Sequence, residues 1–198
     1  MPEHLVLIVK SSSDDVETDL MSGAVSCPSC GGVLGRWGFA RWRLVRAETG
    51  TVGLRPRRTR CRSCSSTHVL LPDVVLARRV DTVAVIGSAL SAAAAGAGHR
   101  KVAEQVGRPP STVRGWLRRF RAVAERVAVF FRAWAQRLDP MLGPVAPTGS
   151  GVADALQAVG VAARAASLRL GPRPPWSWAS VLTVGRLLSN TSSPWLEP

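Results

Sequence analysis

Four cysteines in two close pairs constrain this chain more than any other feature of its sequence. Cys27 and Cys30 enclose Pro-Ser, Cys61 and Cys64 enclose Arg-Ser, and thirty residues separate the pairs. Two cysteines spaced in this way can turn both sulfurs toward one point, and two such pairs complete a tetrahedral site. Because four thiolates leave no open coordination position, the spacing predicts one structural Zn²⁺ ion per chain and not a catalytic one.

Two other uses of paired cysteines fit this sequence less well. Disulfides need an oxidising compartment, and residues 1–9 have neither the basic start nor the long apolar run of an export signal. A thioredoxin-type redox centre needs one pair beside a strand and a helix, and here there are two pairs. His68 is a further candidate ligand, although four cysteines already suffice.

The segment between the pairs mixes aromatic residues with arginines. Three rings are interleaved with four basic side chains there: Trp37, Phe39 and Trp42 with Arg36, Arg41, Arg43 and Arg46. Such a pattern is typical of a surface that stacks on single-stranded nucleic acid and contacts its phosphates. The other interpretation, which we favour, is a zinc-ribbon hairpin whose rings pack on one face, since a ribbon has little core of its own. Thr67–Leu71 is predicted to be a short closing strand that ends at Pro72.

From Asp81 the pattern changes to that of helices. The first predicted helix runs from there to Gly96, and a second runs from about His99 to Val106 before Gly107. Pro109 and Pro110 open a third, with Ser111 as the expected N-cap, and its apolar stripe continues to Leu138.

These three segments have the spacing of a helix-turn-helix. Ala103 allows two helices to approach, Gly107 makes the turn, and Val113 and Trp116 seat the third helix on the second. The start of the third helix would then lie in the major groove. We expect contacts to base edges from Ser111, Thr112, Arg114 and Arg118, and contacts to phosphates from Arg100, Lys101, Arg108, Arg119 and Arg121. The competing interpretation is a generic three-helix bundle with a solvated basic face.

The charge is concentrated in the same two segments. The chain has 198 residues, 26 Lys+Arg against 13 Asp+Glu, and a formal net charge of +13, which makes a polyanion the expected partner. Residues 27–72 carry +8 and residues 73–140 carry +7, whereas residues 1–26 carry −4. A GC-rich genome also raises the arginine content, but it would spread the charge more evenly along the chain.

In their order along the chain, these motifs resemble those of small actinobacterial zinc-ribbon/helix-turn-helix proteins, similar to the N-terminal DNA-binding part of insertion-sequence transposases. The motifs are Cys-Pro-Ser-Cys-Gly-Gly, Arg-Cys-Arg-Ser-Cys, Gly-His-Arg-Lys-Val-Ala and Thr-Val-Arg-Gly-Trp-Leu-Arg-Arg-Phe, and the resemblance covers roughly residues 24–138. It implies a zinc site at Cys27, Cys30, Cys61 and Cys64, and a third helix that reads DNA. Ser65 departs from the pattern, because such knuckles often have glycine there.

The sequence predicts that the chain is not an enzyme. A complete transposase would add a catalytic domain with three metal-binding carboxylates, but the 58 residues after Pro140 contain only Asp154 and Glu197. Nor is there a Ser-His-Asp or Cys-His arrangement, since the cysteines are committed to metal. No small-molecule substrate is expected.

The sequence therefore predicts a mainly α fold: an N-terminal zinc ribbon (small β), a three-helix helix-turn-helix bundle, and C-terminal helices. The expected divisions are 1–26 (a strand and an acidic segment), 27–72 (ribbon), 73–138 (helix-turn-helix), 139–151 (linker) and 152–198 (helices). The last region either packs back on the bundle or forms a surface for a homodimer or a transposase partner.

We expect a cytoplasmic bacterial protein, associated with the nucleoid and not with a membrane, that binds specific sequences of double-stranded DNA. It would serve as a transposition accessory or a transcriptional regulator; alternatively, it is the DNA-binding subunit of a transposase whose catalytic domain is encoded separately.

Overall fold

Strands occupy the first part of the chain and helices most of the rest in the computed structural model, which describes residues 5–10 and 12–188. The strands are β1 (Leu5–Val9), β2 (Leu34–Phe39), β3 (Arg43–Arg46), β4 (Thr51–Leu54), β5 (Arg57–Cys61) and β6 (Thr67–Pro72). The helices are α1 (Ser13–Met21), α2 (Val83–Ala94), α3 (His99–Val106), α4 (Pro110–Leu138), α5 (Gly151–Leu170) and α6 (Pro175–Leu182). Glu197 lies outside the described residues.

The predicted fold class, a mainly α protein with a small N-terminal zinc ribbon, is wrong. Four strands form one mixed sheet in the order β1-β6-β5-β2, and β3 and β4 form a separate hairpin. In the mixed sheet, β1 runs parallel to β6, with Leu5 beside His68 and Val9 beside Pro72. A parallel pair needs a long crossover, so this pairing joins segments that lie far apart in sequence. The cysteine segment is thus part of a larger α/β unit and is not a free-standing ribbon.

Both faces of the mixed sheet are covered, at least in part. On one face, α1 packs Val16 and Leu20 against a cluster that contains Leu34, Leu70 and Cys27. A second cluster, centred on Leu71, Val75 and Val45, brings in the β3–β4 hairpin. Burial on both faces explains why β1 reads as a continuous apolar run without the alternation of a half-exposed strand.

The helices α2 to α6 share one apolar core. Its largest buried side chains on α4 are Trp116, Phe120 and Phe131, and α5 contributes mainly alanines. Small side chains allow α5 to approach α4 closely, and the predicted linker lies between these two helices. The C-terminal helices therefore pack back on the bundle, which is one of the two arrangements expected. The last helix, α6, ends at Leu182, and residues in the left-handed conformation, Val184 and Gly185, follow it.

A buried carboxylate joins the sheet part of the molecule to the helical part. Asp81, with 3% of its surface exposed, accepts hydrogen bonds from Arg46 Nη2 at 2.7 Å and from Arg108 Nε at 2.6 Å. Arg46 ends β3, whereas Arg108 lies in the turn between α3 and α4. Arg108 also donates to the carbonyl oxygen of Ala47 at 2.8 Å. The turn before α4 is thus tied directly to the β3–β4 hairpin.

Within residues 5–10 and 12–188, none of the helices combines the length and apolar character that a bilayer crossing requires.

Candidate metal centre and nucleic-acid interface

Two similar turns hold the four cysteines. In the first, Gly31 N–H donates to the carbonyl oxygen of Cys27 at 2.8 Å, and in the second Ser65 N–H donates to that of Cys61 at 3.1 Å. Gly31 and Ser65 both have positive φ angles, 71° and 60°. Ser65 therefore adopts the left-handed conformation that glycine takes more easily, and the second turn closes in the same way as the first.

The four sulfur atoms meet in one cluster. The Sγ atoms of Cys27, Cys30, Cys61 and Cys64 all lie within 4.8 Å of one another. Cys27 and Cys64 are 3.7 Å apart, and Cys30 and Cys61 are 3.5 Å apart. A tetrahedral ion with Zn–S bonds of about 2.3 Å places its sulfurs about 3.8 Å apart, whereas a disulfide needs about 2.05 Å. The cysteines are free thiols whose geometry fits a metal ion such as zinc.

Hydrogen bonds around two of the sulfurs, those of Cys61 and Cys64, favour thiolates, the form that binds metal. The pKa of Cys30 is raised instead, because a hydrogen bond with the backbone of Gly32, which lowers it, is outweighed by the neighbouring cysteine side chains and by burial. Hydrogen bonding with the side chain and backbone of Ser66 lowers the pKa of Cys64 to about 6. The backbone amide of Cys64, followed by that of Ser63, lowers the pKa of Cys61. These two amides lie 3.5 and 3.4 Å from Cys61 Sγ, so the second turn makes amide–sulfur bonds although it lacks the usual glycine.

His68 lies against the cluster. Its side chain is fully buried on β6, and its Nε2 is 3.4 Å from Cys27 Sγ. At that distance the imidazole can donate a hydrogen bond to the Cys27 thiolate while the four sulfurs surround the metal position. The sequence suggested His68 only as a substitute ligand. A clue to this role was the alternation in β6, which places His68 and Leu70 on the same buried face.

The α3–turn–α4 segment follows the sequence prediction closely. Gly107 ends α3 in the left-handed conformation, with φ 61° and ψ 42°. The expected N-cap at Ser111 is wrong, because α4 begins at Pro110, and Pro109, two residues before Ser111, is in the cap position. Proline is favoured at the first helical position, since it has no N–H that would need a partner.

The predicted base-contacting residues lie in the first turns of α4, opposite its buried stripe. Ser111, Arg114 and Arg118 are exposed, and Thr112 is half-buried at the side. The stripe that faces the core contains Val113, Trp116 and Phe120 and continues through Phe131, whereas Phe130 beside it is half-buried.

Four of the five predicted phosphate contacts reach solvent, and one does not. Arg100, Lys101 and Arg121 are exposed, and Arg119 is half-exposed. Arg108 differs from the other four, since only 11% of its side chain is exposed and its guanidinium pairs with Asp81. Another arginine, Arg79, lies near Arg119. Burial lowers the pKa of Arg79, and the positive charge of Arg119 lowers it further.

A groove of about 500 Å³ lies between the end of α2 and the exposed side of α4. Arg114, Arg118 and Arg121 line it together with His99. Three arginines and several apolar residues therefore border one concave surface, and the positive charge there favours a negatively charged ligand.

The aromatic residues between the cysteine pairs are exposed, so the favoured interpretation that they pack is wrong. The exposed fractions are 50% for Trp37, 47% for Phe39 and 60% for Trp42. Arginine side chains lie over two of the rings, with Arg60 4.8 Å from the centre of Trp37 and Arg57 4.4 Å from that of Phe39. Trp37 and Phe39 lie on β2, and Trp42 lies just after it. β2 is an outer strand of the mixed sheet, since no other strand of the described residues pairs with its second edge. We call Trp37, Phe39, Trp42, Arg55, Arg57 and Arg60 the arginine–aromatic surface.

Comparison with known proteins gives one match. Residues 27–116 match the model of a family described as a domain of unknown function, DUF6431. The matched segment begins at the first cysteine and ends in the second turn of α4, so it contains the whole sulfur cluster and the α3–α4 turn. Neither the curated proteins nor the solved structures contain a match.

Proposed function

We propose that this protein is a non-catalytic, sequence-specific DNA-binding protein that places the start of α4 in the major groove of a duplex. The observation that carries this proposal is the exposed face of α4. Arg114 and Arg118 are one helical turn apart there, on a helix whose opposite face is held in the core. A helix presented in this way fits the width of the major groove, and each arginine can pair with the O6 and N7 atoms of a guanine.

The surrounding charges support the same docking. Arg100 and Lys101, in the first turn of α3, and Arg119 and Arg121 on α4 flank the proposed base-contacting residues. Contacts from such residues to phosphates would fix the register of the protein without reading sequence. The turn that positions α4 is held by Arg108, whose ion pair with Asp81 connects it to Arg46 on β3.

We further propose that the cluster of Cys27, Cys30, Cys61 and Cys64 holds one structural zinc ion. The ion would supply a covalent-like cross-link between the turn before β2 and the turn after β5, where the apolar core is small. Zinc analysis of protein purified under reducing conditions should find one ion per chain. A reduced, folded sample without bound metal would contradict this part of the proposal.

Selection from a randomised duplex library, at a stated salt concentration, tests the DNA-binding proposal. We expect enrichment of a short motif that contains guanines, because arginine reads guanine best. Recovery of sequences no different from the input library would contradict sequence-specific binding.

The genomic position of the selected motif separates the possible roles. Sites at terminal inverted repeats would identify a transposition accessory or the DNA-binding subunit of a separately encoded transposase. Sites in promoters, including its own, would identify a transcriptional regulator.

A further inference from the structure

The arginine–aromatic surface is not used by the proposed duplex contacts. Those contacts come from α3 and α4, whereas the residues of the arginine–aromatic surface lie on β2, on β5 and in the segment between these two strands. Three large rings lie close together in sequence, and each exposes about half of its area or more. Trp42 lies across β4 and closes the space beside Gly53, where an added Cβ would come within 3.1 Å of its ring. The ring is therefore held in place although most of it faces solvent.

The charge around these rings is strongly positive. Arg55 and Arg57 lie over Phe39 at 4.9 and 4.4 Å, and Arg60 lies over Trp37. One acidic residue faces this region, Glu17 on α1, which pairs with Arg57 at 2.9 Å and with Arg36 at 2.8 Å. Within the described part of the chain, no carboxylate forms an ion pair with Arg55 or Arg60. Segment 27–72 as a whole has nine arginines and a single acidic residue.

A groove of about 800 Å³ adjoins Trp37. Gly35 leaves room along β2, and the guanidinium-bearing residues Arg36, Arg60 and Arg62 line the sides. The groove passes the end of α1 and reaches Cys61. A chain of phosphates could follow it while the attached bases reach the rings.

We propose that the arginine–aromatic surface binds single-stranded nucleic acid, with unpaired bases stacked on Trp37, Phe39 and Trp42 and the phosphates held by the adjacent arginines. Stacking on aromatic side chains needs bases whose faces are free, and the bases of a duplex are stacked on one another. Aromatic residues and arginine are also enriched in protein–protein interfaces, so a protein partner is the alternative that the experiment below separates from a single strand. The combination of exposed rings with a positive groove is the usual composition of single-strand sites.

Fluorescence anisotropy with labelled oligonucleotides of about 15 bases tests this proposal, since single-strand sites span about 4–16 nucleotides. The probes are oligo-dT and oligo-rU, with a duplex of the selected sequence as a third arm. Trp37→Ala and Trp42→Ala should each weaken binding of at least one single strand about tenfold, because a stacked base contributes about 1–3 kcal/mol. Both should leave duplex binding within about twofold of the parent protein. The two single strands distinguish DNA from RNA as the preferred source of the bases.

Three controls accompany these variants. Trp37→Phe keeps a ring and should retain most of the binding, and Leu168→Ala removes an exposed apolar side chain of α5 and should change nothing. Arg114→Ala should weaken the duplex arm alone, so that failure of this proposal and failure of the duplex proposal give different results. Circular dichroism and metal content should match the parent for every variant.

Two outcomes would overturn the proposal. The first is single-strand binding that is absent in the parent or unchanged in Trp37→Ala and Trp42→Ala. The second is that these variants abolish self-association, seen by sedimentation, without any effect on the single-strand arms, because the rings would then form a protein interface.

Discussion

At the scale of single residues, the spacing of the cysteines predicted which atoms meet, but not what supports them. Two Cys-x-x-Cys pairs converge because each turn closes on itself, and this is local chemistry that a sequence displays. His68 reaches Cys27 only because β6 is a central strand of a sheet that the sequence did not reveal. The exposure of Trp37 and Phe39 was missed for the same reason, since both lie on β2, an outer strand of that sheet.

His68→Ala should lower the metal affinity of the cluster about 10- to 100-fold, the usual cost of losing a hydrogen-bonding partner of a metal ligand. His68→Gln retains a donor and should recover part of the loss. Competition with a chromophoric chelator measures the affinity, and His99→Ala, which changes a histidine on α3 away from the cluster, is the control. Equal affinities for His68→Ala and the parent protein would show that the contact with Cys27 does not support the site.

At the scale of elements, the helices were predictable and the mixed sheet was not. Gly107 and the two prolines fix the end of α3 and the start of α4 through their own backbone preferences, so the bounds of both helices were nearly correct. The parallel pairing of β1 with β6 has no such local marker, because its partners are more than fifty residues apart in sequence. The close packing of the α5 alanines against α4 also has no local marker in the sequence, and it places Phe131 in the buried stripe.

Gly87→Ala tests the packing of α2 against α6. An added Cβ at this helical position would overlap the indole of Trp176, so the ring must move. We expect the free energy of unfolding to fall by about 1–3 kcal/mol, as for other overpacked cores. Urea denaturation measures it.

Gly160→Ala is the matched control for that experiment. Gly160 also lies inside a helix, α5, but its added Cβ would have no neighbour within 4 Å among the described atoms. This variant should gain up to about 1 kcal/mol from the better helix propensity of alanine. Stabilisation by both variants would contradict close contact between α2 and Trp176.

At the scale of the whole molecule, one buried carboxylate connects the β3–β4 hairpin, which lies between the two cysteine pairs in sequence, with the helix proposed to read DNA. Asp81 binds Arg46 on the sheet side and Arg108 at the turn before α4. The sequence showed each of these charges but not their pairing, and it assigned Arg108 to phosphate contacts instead. The partition of net charge between two neighbouring segments could be read from the sequence, since it needs no three-dimensional information.

Asp81→Asn should lower the free energy of unfolding by about 3 kcal/mol, because removing one member of a buried ion pair leaves the other uncompensated. Glu17→Gln is a matched control. Glu17 also pairs with two arginines, but 31% of its side chain is exposed, and the expected loss is below about 1 kcal/mol. Thermal or urea unfolding of the two variants compares them directly, and similar losses would contradict the assigned role of Asp81.

The central claim is that the exposed face of α4 reads a DNA sequence, and the most direct test is the ratio of affinities for the selected duplex and a scrambled duplex. Arg114→Ala should weaken binding of the selected duplex by about 1–3 kcal/mol and lower the ratio, because it removes a base contact. Arg119→Ala should weaken both duplexes alike and reduce the salt dependence, because it removes a phosphate contact. Unchanged ratios in both variants, measured at one salt concentration, would contradict the account.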